Sequence, residues 1–222
     1  MGFEDTDAPR APARAAPGGS PRDHIRGVKR PTQRRSREYM DAVLRAAGEL
    51  IEEAGRDDFT IRALADRAQV SASWLYRYFP EKSAVIEAVM LDFIEKSLDV
   101  IPGIEQEFDS WQEAVELRAA AFSDFYRSAR GLRGAWFARA RTGLVEEQNR
   151  LSNDIIADQF AEMVSELAIV SYDELWQLIR LANEVSERLT EYAYELGPAH
   201  HGWIDRQNAH IFQDIIRPCF ES

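Results

Sequence analysis

Apolar residues in this chain recur every three or four positions, and nowhere do they alternate every second position over the length of a strand. That pattern sets the fold class as all-α. The clearest stripe is Val43, Ala46, Ala47, Leu50, Ile51 and Ala54, stopped by Gly55 as a helix-terminating glycine. Thr60 is an N-cap candidate for a short second helix with Ile61, Leu64, Ala65 and Ala68 on one side. Gln69-Val70-Ser71 reads as a tight turn, with Ser71 capping a third short helix from Ala72 to Phe79. A fourth runs from about Glu81 to Val100, ahead of Pro102-Gly103. Further periodic segments cover roughly 110–129, 131–141, 144–168, 173–196 and 202–217. Ser110, Asp173 and Gly202 mark starts, and Gly143 and Gly197-Pro198 mark stops. About nine helices are expected.

Composition narrows the class. No apolar run approaches the roughly 20 residues that span a bilayer. The first 31 residues contain no apolar signal core, and the single Cys219 cannot form an internal disulfide or a multi-thiolate metal site. A cytoplasmic protein without membrane contact is expected. Five of the nine prolines fall in a Pro/Ala/Arg-rich stretch, so residues 1–33 read as a disordered basic arm. The net charge of −11 is unevenly spread, with nine Lys/Arg against four Asp/Glu over 1–37, but twelve against twenty-five over 83–222. A basic front on an acidic body is compatible with a nucleic-acid partner held at one end.

Two short helices joined by a tight turn make a helix-turn-helix pattern. Ile61, Leu64, Ala65, Ala68, Val70, Leu75 and Phe79 form the inward set, leaving Ala72, Ser73, Trp74, Tyr76 and Arg77 outward. Small residues at the start of such a helix let it enter a major groove, and Tyr and Arg reach phosphates and base edges. By pattern alone, an ordinary helical hairpin with a solvated face remains an equal alternative.

The stretch from Val43 to Val89, VLRAAGELIEEAGRDDFTIRALADRAQVSASWLYRYFPEKSAVIEAV, strongly resembles the DNA-binding domain of the TetR family of bacterial transcriptional regulators. The resemblance is carried by Thr60-Ile61-Arg62, the Ala65…Ala68-x-Val70-Ser71 turn, Leu75-Tyr76-x-Tyr78-Phe79 and Lys82. It implies a helix-turn-helix domain over 34–82, with the motif at about 60–79, and an effector-binding and dimerisation domain over 83–222. By that resemblance Thr60, Tyr76 and Lys82 contact phosphates, and Ser71 caps the recognition helix and touches one too. Ala72, Ser73, Trp74 and Arg77 face bases or backbone, while Tyr78 and Phe79 anchor the domain. Arg34, Arg35 and Arg37, just before the first helix, either reach the adjacent minor groove or only keep a tail in solution. The chain departs from the family pattern at two places. Gln69 stands where glycine is usual, at a cost of roughly 1 kcal/mol if its φ is positive. Trp74 stands where a small or hydroxylated residue is commoner, so it either packs on the DNA or alters the docking angle.

For the C-terminal body the resemblance implies a homodimer through the last two helices, placing two recognition helices on a palindromic double-stranded operator. Leu175, Leu178, Ala182, Val185, Leu189, Tyr192 and Leu196 have suitable spacing, as do Ile204, Ile211, Ile215 and Cys219 with Phe212 and Ile216. Helices five to seven carry Trp111, Phe122, Phe125, Tyr126, Trp136 and Phe137, followed by Phe160, Met163 and Trp176. Each taken alone is ordinary core. Together with Arg139, Arg180 and Asn183 they could line a pocket for a small amphipathic or aromatic effector, whose binding would tilt the fourth helix and release DNA. The resulting expectation is a ligand-responsive repressor, although activation is not separable from repression in sequence. An enzyme is not expected. There is no paired Glu-x-x-His, Gly-x-Ser-x-Gly, P-loop or Rossmann fingerprint, and His201 with Asp205 makes at most a weak surface pair. No cofactor or metal is expected. The alternative is a helical protein-interaction adaptor with neither DNA nor ligand role, which leaves the Thr60–Lys82 motif unexplained.

Overall fold

The computed structural model describes residues 31–54, 58–129 and 142–221. Among these residues there are eight α-helices and no strand. They are α1 Arg34–Ala54, α2 Ile61–Ala68, α3 Ala72–Tyr78, α4 Lys82–Ser97, α5 Trp111–Ser128, α6 Gly143–Val164, α7 Tyr172–Leu196 and α8 His201–Ile216. Single 3-10 turns occupy Ser165–Leu167, Pro198–His200 and Arg217–Cys219. The arm over 1–30, the stop at Gly55 and the helix expected over 131–141 lie outside the described residues.

Several expected boundaries move, each for a local reason. Arg34, Arg35 and Arg37 form the first turn of α1 instead of preceding it, with the Arg37 N–H bonding the Gln33 carbonyl and Arg34 paired one turn on with Glu38. The fourth helix ends at Ser97, whose hydroxyl donates back to the Ile94 carbonyl at 2.8 Å. Turns follow, and at Gly103 a Cβ would meet the Asp99 carbonyl oxygen at 2.9 Å, so only glycine fits without movement. Gly143 opens α6, where Thr142 Oγ1 accepts from the Val145 N–H. The cap of α7 is Ser171, with Asp173 inside the first turn, and α8 starts at His201 instead of Gly202. Gly197 ends α7 at φ 91°, a backbone conformation that glycine adopts without a Cβ penalty.

The chain divides into two compact units. The first gathers, of the described residues, 31–97, 124–129 and 142–150. Met40, Val43, Ala47 and Ile51 of α1 close over Leu64 of α2 and Leu75 of α3. Val85, Val89, Met90, Phe93 and Ile94 of α4 complete this core, so α4 shares its apolar face with the helix-turn-helix. Phe125 stacks on Phe93 at 4.9 Å, and Thr142 donates to Glu87. Arg67 of α2 holds Glu53 of α1 through two parallel bonds of 2.7 and 2.8 Å, which keep that carboxyl below its ordinary range.

The second unit gathers 98–123 and 151–221 of the described residues. Here α7 and α8 form a hairpin through the Pro198–His200 turn; α7 meets α6 through Arg180–Asp154 and α5 through Asn183–Arg118, and α8 meets α5 through Phe212–Arg118. Phe160 of α6 meets Phe212 of α8 edge-on at 5.8 Å, and both are buried. The chain's end is tied in by Trp111 stacked flat on Phe220 and by the Ile169 N–H bonding the Cys219 carbonyl.

Candidate nucleic-acid interface

A recognition helix needs a fixed start, a buried anchor and a free face. Thr60, in extended backbone at φ −115°, accepts from the Ala63 N–H through Oγ1 at 3.1 Å and sets the start of α2. The α2 end is a Schellman motif. Gln69 adopts φ 54° and ψ 40°, its N–H bonds the Asp66 carbonyl, and the Val70 N–H bonds the Ala65 carbonyl at 3.1 Å. Gln69 thus occupies the left-handed position that glycine usually fills, so the positive φ on which its cost depends is present. Two residues later Ser71 caps α3 by accepting from the Trp74 N–H at 3.2 Å, and its hydroxyl is 3.0 Å from that of Ser73.

Leu75 is the anchor, completely buried, and Phe79 follows at 4% exposure. Ser71, Ala72, Ser73, Tyr76 and Arg77 are exposed, with Tyr76 at 55% among the most exposed large apolar side chains described. Tyr78 is half-buried against the same core, in keeping with an anchoring role. Trp74 is placed differently from its expected outward position. It is half-buried, its ring 5.9 Å from Tyr39 and nearly perpendicular to it, and 4.6 Å from Tyr78. The indole therefore braces α3 against the first turns of α1, since a large apolar ring gains more from two aromatic neighbours than from water.

The flanking cations are also placed. Arg35 donates to the Tyr39 hydroxyl at 2.9 Å, so it joins the aromatic chain that reaches Trp74. Arg34 is exposed beside Glu38, and Lys82, at the start of α4, lies 5.3 Å from the Phe59 ring centre. Thr60, Ser71, Ser73, Tyr76 and Arg77 thus combine hydroxyls, one phenol and one guanidinium on exposed surface. That is a set suited to phosphate oxygens and base edges.

The residues expected to line a ligand pocket separate into groups. Phe125 and Tyr126 pack on Phe93 in the first unit. Trp136, Phe137 and Arg139 lie outside the described residues. In the second unit Trp111 is engaged by Phe220, and the buried Trp176 donates to the Asp154 carbonyl. Arg180 is held by Asp154 and Glu184, and Met163 is half-buried. Among the described residues, Phe122, Phe160 and Asn183 also come together. They do so around Arg118, which sequence reasoning passed over although it interrupts the apolar stripe of Ala114 and Phe122.

On the expected dimer faces, Leu175, Ala182, Ile204, Phe212, Ile216 and Cys219 are buried within the chain itself. A second stripe of α7 stays open, with Leu181, Tyr192 and Leu196 exposed by 53%, 44% and 40% and Leu178, Val185 and Leu189 half-buried. Among the described residues no group of three or more His, Cys, Asp or Glu is placed to hold a metal ion, and no helix is long and apolar enough to cross a membrane.

Residues 43–89 match the model of the bacterial regulatory proteins of the tetR family. No curated protein matches the chain in sequence. Among solved structures, a TetR-family transcriptional regulator from Streptomyces coelicolor superposes with a TM-score of 0.62 at 17% identity, over 82% of this chain and 99% of that one. A TetR transcriptional regulator from Rhodococcus sp. RHA1 gives 0.58 at 18% identity, over 82% and 97%. At such identities these likenesses speak for the fold. Capped helix-turn-helix, family match and shared architecture agree: residues 43–89 form a helix-turn-helix domain of the tetR-family type, in a chain with the all-helical fold of those solved regulators.

Proposed function

We propose that the chain is a cytoplasmic, ligand-responsive repressor that binds a palindromic operator as a homodimer and leaves it when a small amphipathic or aromatic molecule binds. The observation that carries the DNA half is α3 itself. It is capped at Ser71, anchored by Leu75 and braced by Trp74, and it leaves Ser73, Tyr76 and Arg77 exposed. Its readers are therefore set on a helix that need not order itself on binding, which keeps the entropic cost of association low. Arg34 and Lys82 would add backbone contacts at the flanks.

A single seven-residue helix reads too few base pairs for a useful site, so a two-fold pair of heads is required. The open stripe Leu178, Leu181, Val185, Leu189, Tyr192 and Leu196 on α7 supports that pairing, since spacings of three and four keep it on one side of the helix. Effector binding in the C-terminal body would change the separation of the two recognition helices, and DNA would weaken the effector by the same factor.

Footprinting of the protein's own upstream DNA at two salt concentrations tests the reading, with Tyr76→Ala and Arg77→Ala in parallel. A protected palindrome of roughly 15–30 base pairs is expected, with each substitution weakening it by about 1–3 kcal/mol while the fold is kept. Failure to protect that DNA, together with failure to select any site from random sequence, would sink the DNA role.

A further inference from the structure

Arginines of the helix-turn-helix unit are held in two different ways. Arg34 is paired with Glu38 and Arg67 with Glu53, so a carboxylate offsets each charge. Arg35, in the first turn of α1, is held by a neutral group. Its Nε donates to the Tyr39 hydroxyl one turn on at 2.9 Å, and its guanidinium carbon lies 5.5 Å from the Tyr39 ring centre. Both contacts orient the cation, and neither places a negative charge beside it. Arg35 is exposed, and its Nη groups meet no acceptor among the described residues.

Tyr39 is fixed in turn from its other side. It is half-buried, its ring meets the Trp74 indole nearly at right angles at 5.9 Å, and Trp74 lies 4.6 Å from Tyr78. Trp74 and Tyr78 belong to α3, so one run of side chains joins the first turn of α1 to that helix. Edge-to-face packing favours one mutual orientation, which keeps the hydroxyl used by Arg35 in register with α3. An exposed arginine ordinarily loses rotamer freedom when it binds, and holding it beforehand lowers that cost. A phenol that aims a guanidinium while leaving its charge and its Nη fork open suits one class of partner. That partner is an anion whose two oxygens accept parallel bonds, which on DNA is the phosphodiester.

We infer that Tyr39, backed by Trp74, is a positioning residue for Arg35, and that Arg35 takes a backbone phosphate beside the groove that α3 enters. The inference rests on the DNA-binding half of the reading above. It gives Trp74, where the chain departs from the family pattern, a role other than reading bases. The indole sets where the phosphate contact falls relative to α3, so that helix and cation dock as one body.

The test titrates the full chain, at several salt concentrations, with the duplex it selects from a random-sequence library and with a scrambled duplex of equal length. If selection returns no site, the scrambled duplex alone carries the test. Tyr39→Phe deletes the hydroxyl but keeps the ring on which Trp74 packs, so Tm should hold. Binding to both duplexes should weaken roughly 3- to 10-fold. Arg35→Gln should weaken it at least as much and lower the salt slope by about one. With Arg35→Gln in place Tyr39→Phe should have no further effect, and with Trp74→Leu in place its effect should shrink. A Tyr39 that served only the fold would move Tm and leave no such coupling. Tyr39→Phe binding as tightly as the parent, costing as much without Arg35 as with it, or keeping its full effect beside Trp74→Leu would each overturn the inference. So would an Arg35→Gln loss confined to the selected duplex, which would mark a base contact instead of a phosphate. Binding lost in Arg77→Ala but intact in Tyr39→Phe would keep the regulator reading and refute the positioning role, whereas a chain that binds neither duplex would refute both.

Discussion

Replacing Gln69 with glycine should make the protein more stable, and the size of the gain follows from the turn. Gln69 is the one non-glycine residue at positive φ among those described, and its two neighbouring Schellman bonds hold it there. In that conformation Cβ crowds the following carbonyl oxygen, which costs about 1 kcal/mol that glycine does not incur. The Gln69 side chain is exposed, so truncating it forfeits no packing. Glycine's greater freedom in the unfolded chain returns a few tenths, leaving a net gain of about 0.5–1 kcal/mol. Urea unfolding followed by circular dichroism should therefore show a higher midpoint with an unchanged slope. A series sharpens the test: Gly should exceed Asn, Asn should match or exceed Gln, and the β-branched Val should fall below all three. A glycine variant no more stable than the parent, with valine equally tolerated, would refute the reasoning, because the strain would then not reside at this φ.

Other expectations follow from the same geometry. Thr60→Ala and Ser71→Ala should each cost about 1 kcal/mol in unfolding experiments, because each deletes the side-chain acceptor that caps its helix. Leu75→Ala should cost roughly 2–5 kcal/mol, and a loss under 1 kcal/mol would show that α3 is not anchored there. Cys219 gives a pH dependence. Burial, reinforced by the Glu174 carboxylate, pushes its thiol up from 9.0 to about 11. The folded chain keeps a proton that the unfolded thiol has released, so this contribution to stability is present below pH 9 and is lost as pH rises towards 11. The slope is at most ~1.4 kcal/mol per pH unit. Cys219→Ala should flatten that limb of the stability curve, and an unchanged limb would assign it to other groups.

What sequence could reveal depended on how far each decision reached along the chain. Thr60 and Ser71 were legible as caps because a cap bonds an N–H only three residues away. The tight turn at Gln69-Val70-Ser71 was legible because the motif around it specifies the backbone. The inward turn of Trp74 was not, since it depends on Tyr39, thirty-five positions earlier and on another helix. Ser171 displaced Asp173 as a cap, and Thr142 capped through Gly143, because several polar residues compete near a helix start and only the folded path selects one. Aromatic content identified a set of large rings but not their partners. Phe125 and Phe122 are neighbours on one helix, yet one stacks on Phe93 and the other faces Arg118. Arg118 itself was concealed by its charge. An arginine inside an apolar stripe reads as a break in the pattern until the rings and amide around it are seen.

Trp74 has an implication for how such a regulator diverges. Because the indole is wedged between Tyr39 and Tyr78, the side chains that hold the recognition helix are distinct from those it presents, namely Ser73, Tyr76 and Arg77. Under the function proposed above, changes at the presented positions would retune which operator is preferred at little cost in folding, as is usual for exposed helix sites. Changes at Trp74 would alter preference and integrity together. On that reading the helix carries its own constraint on drift, in which a lineage would explore new target sequences through three positions while the fourth stays fixed by its neighbours.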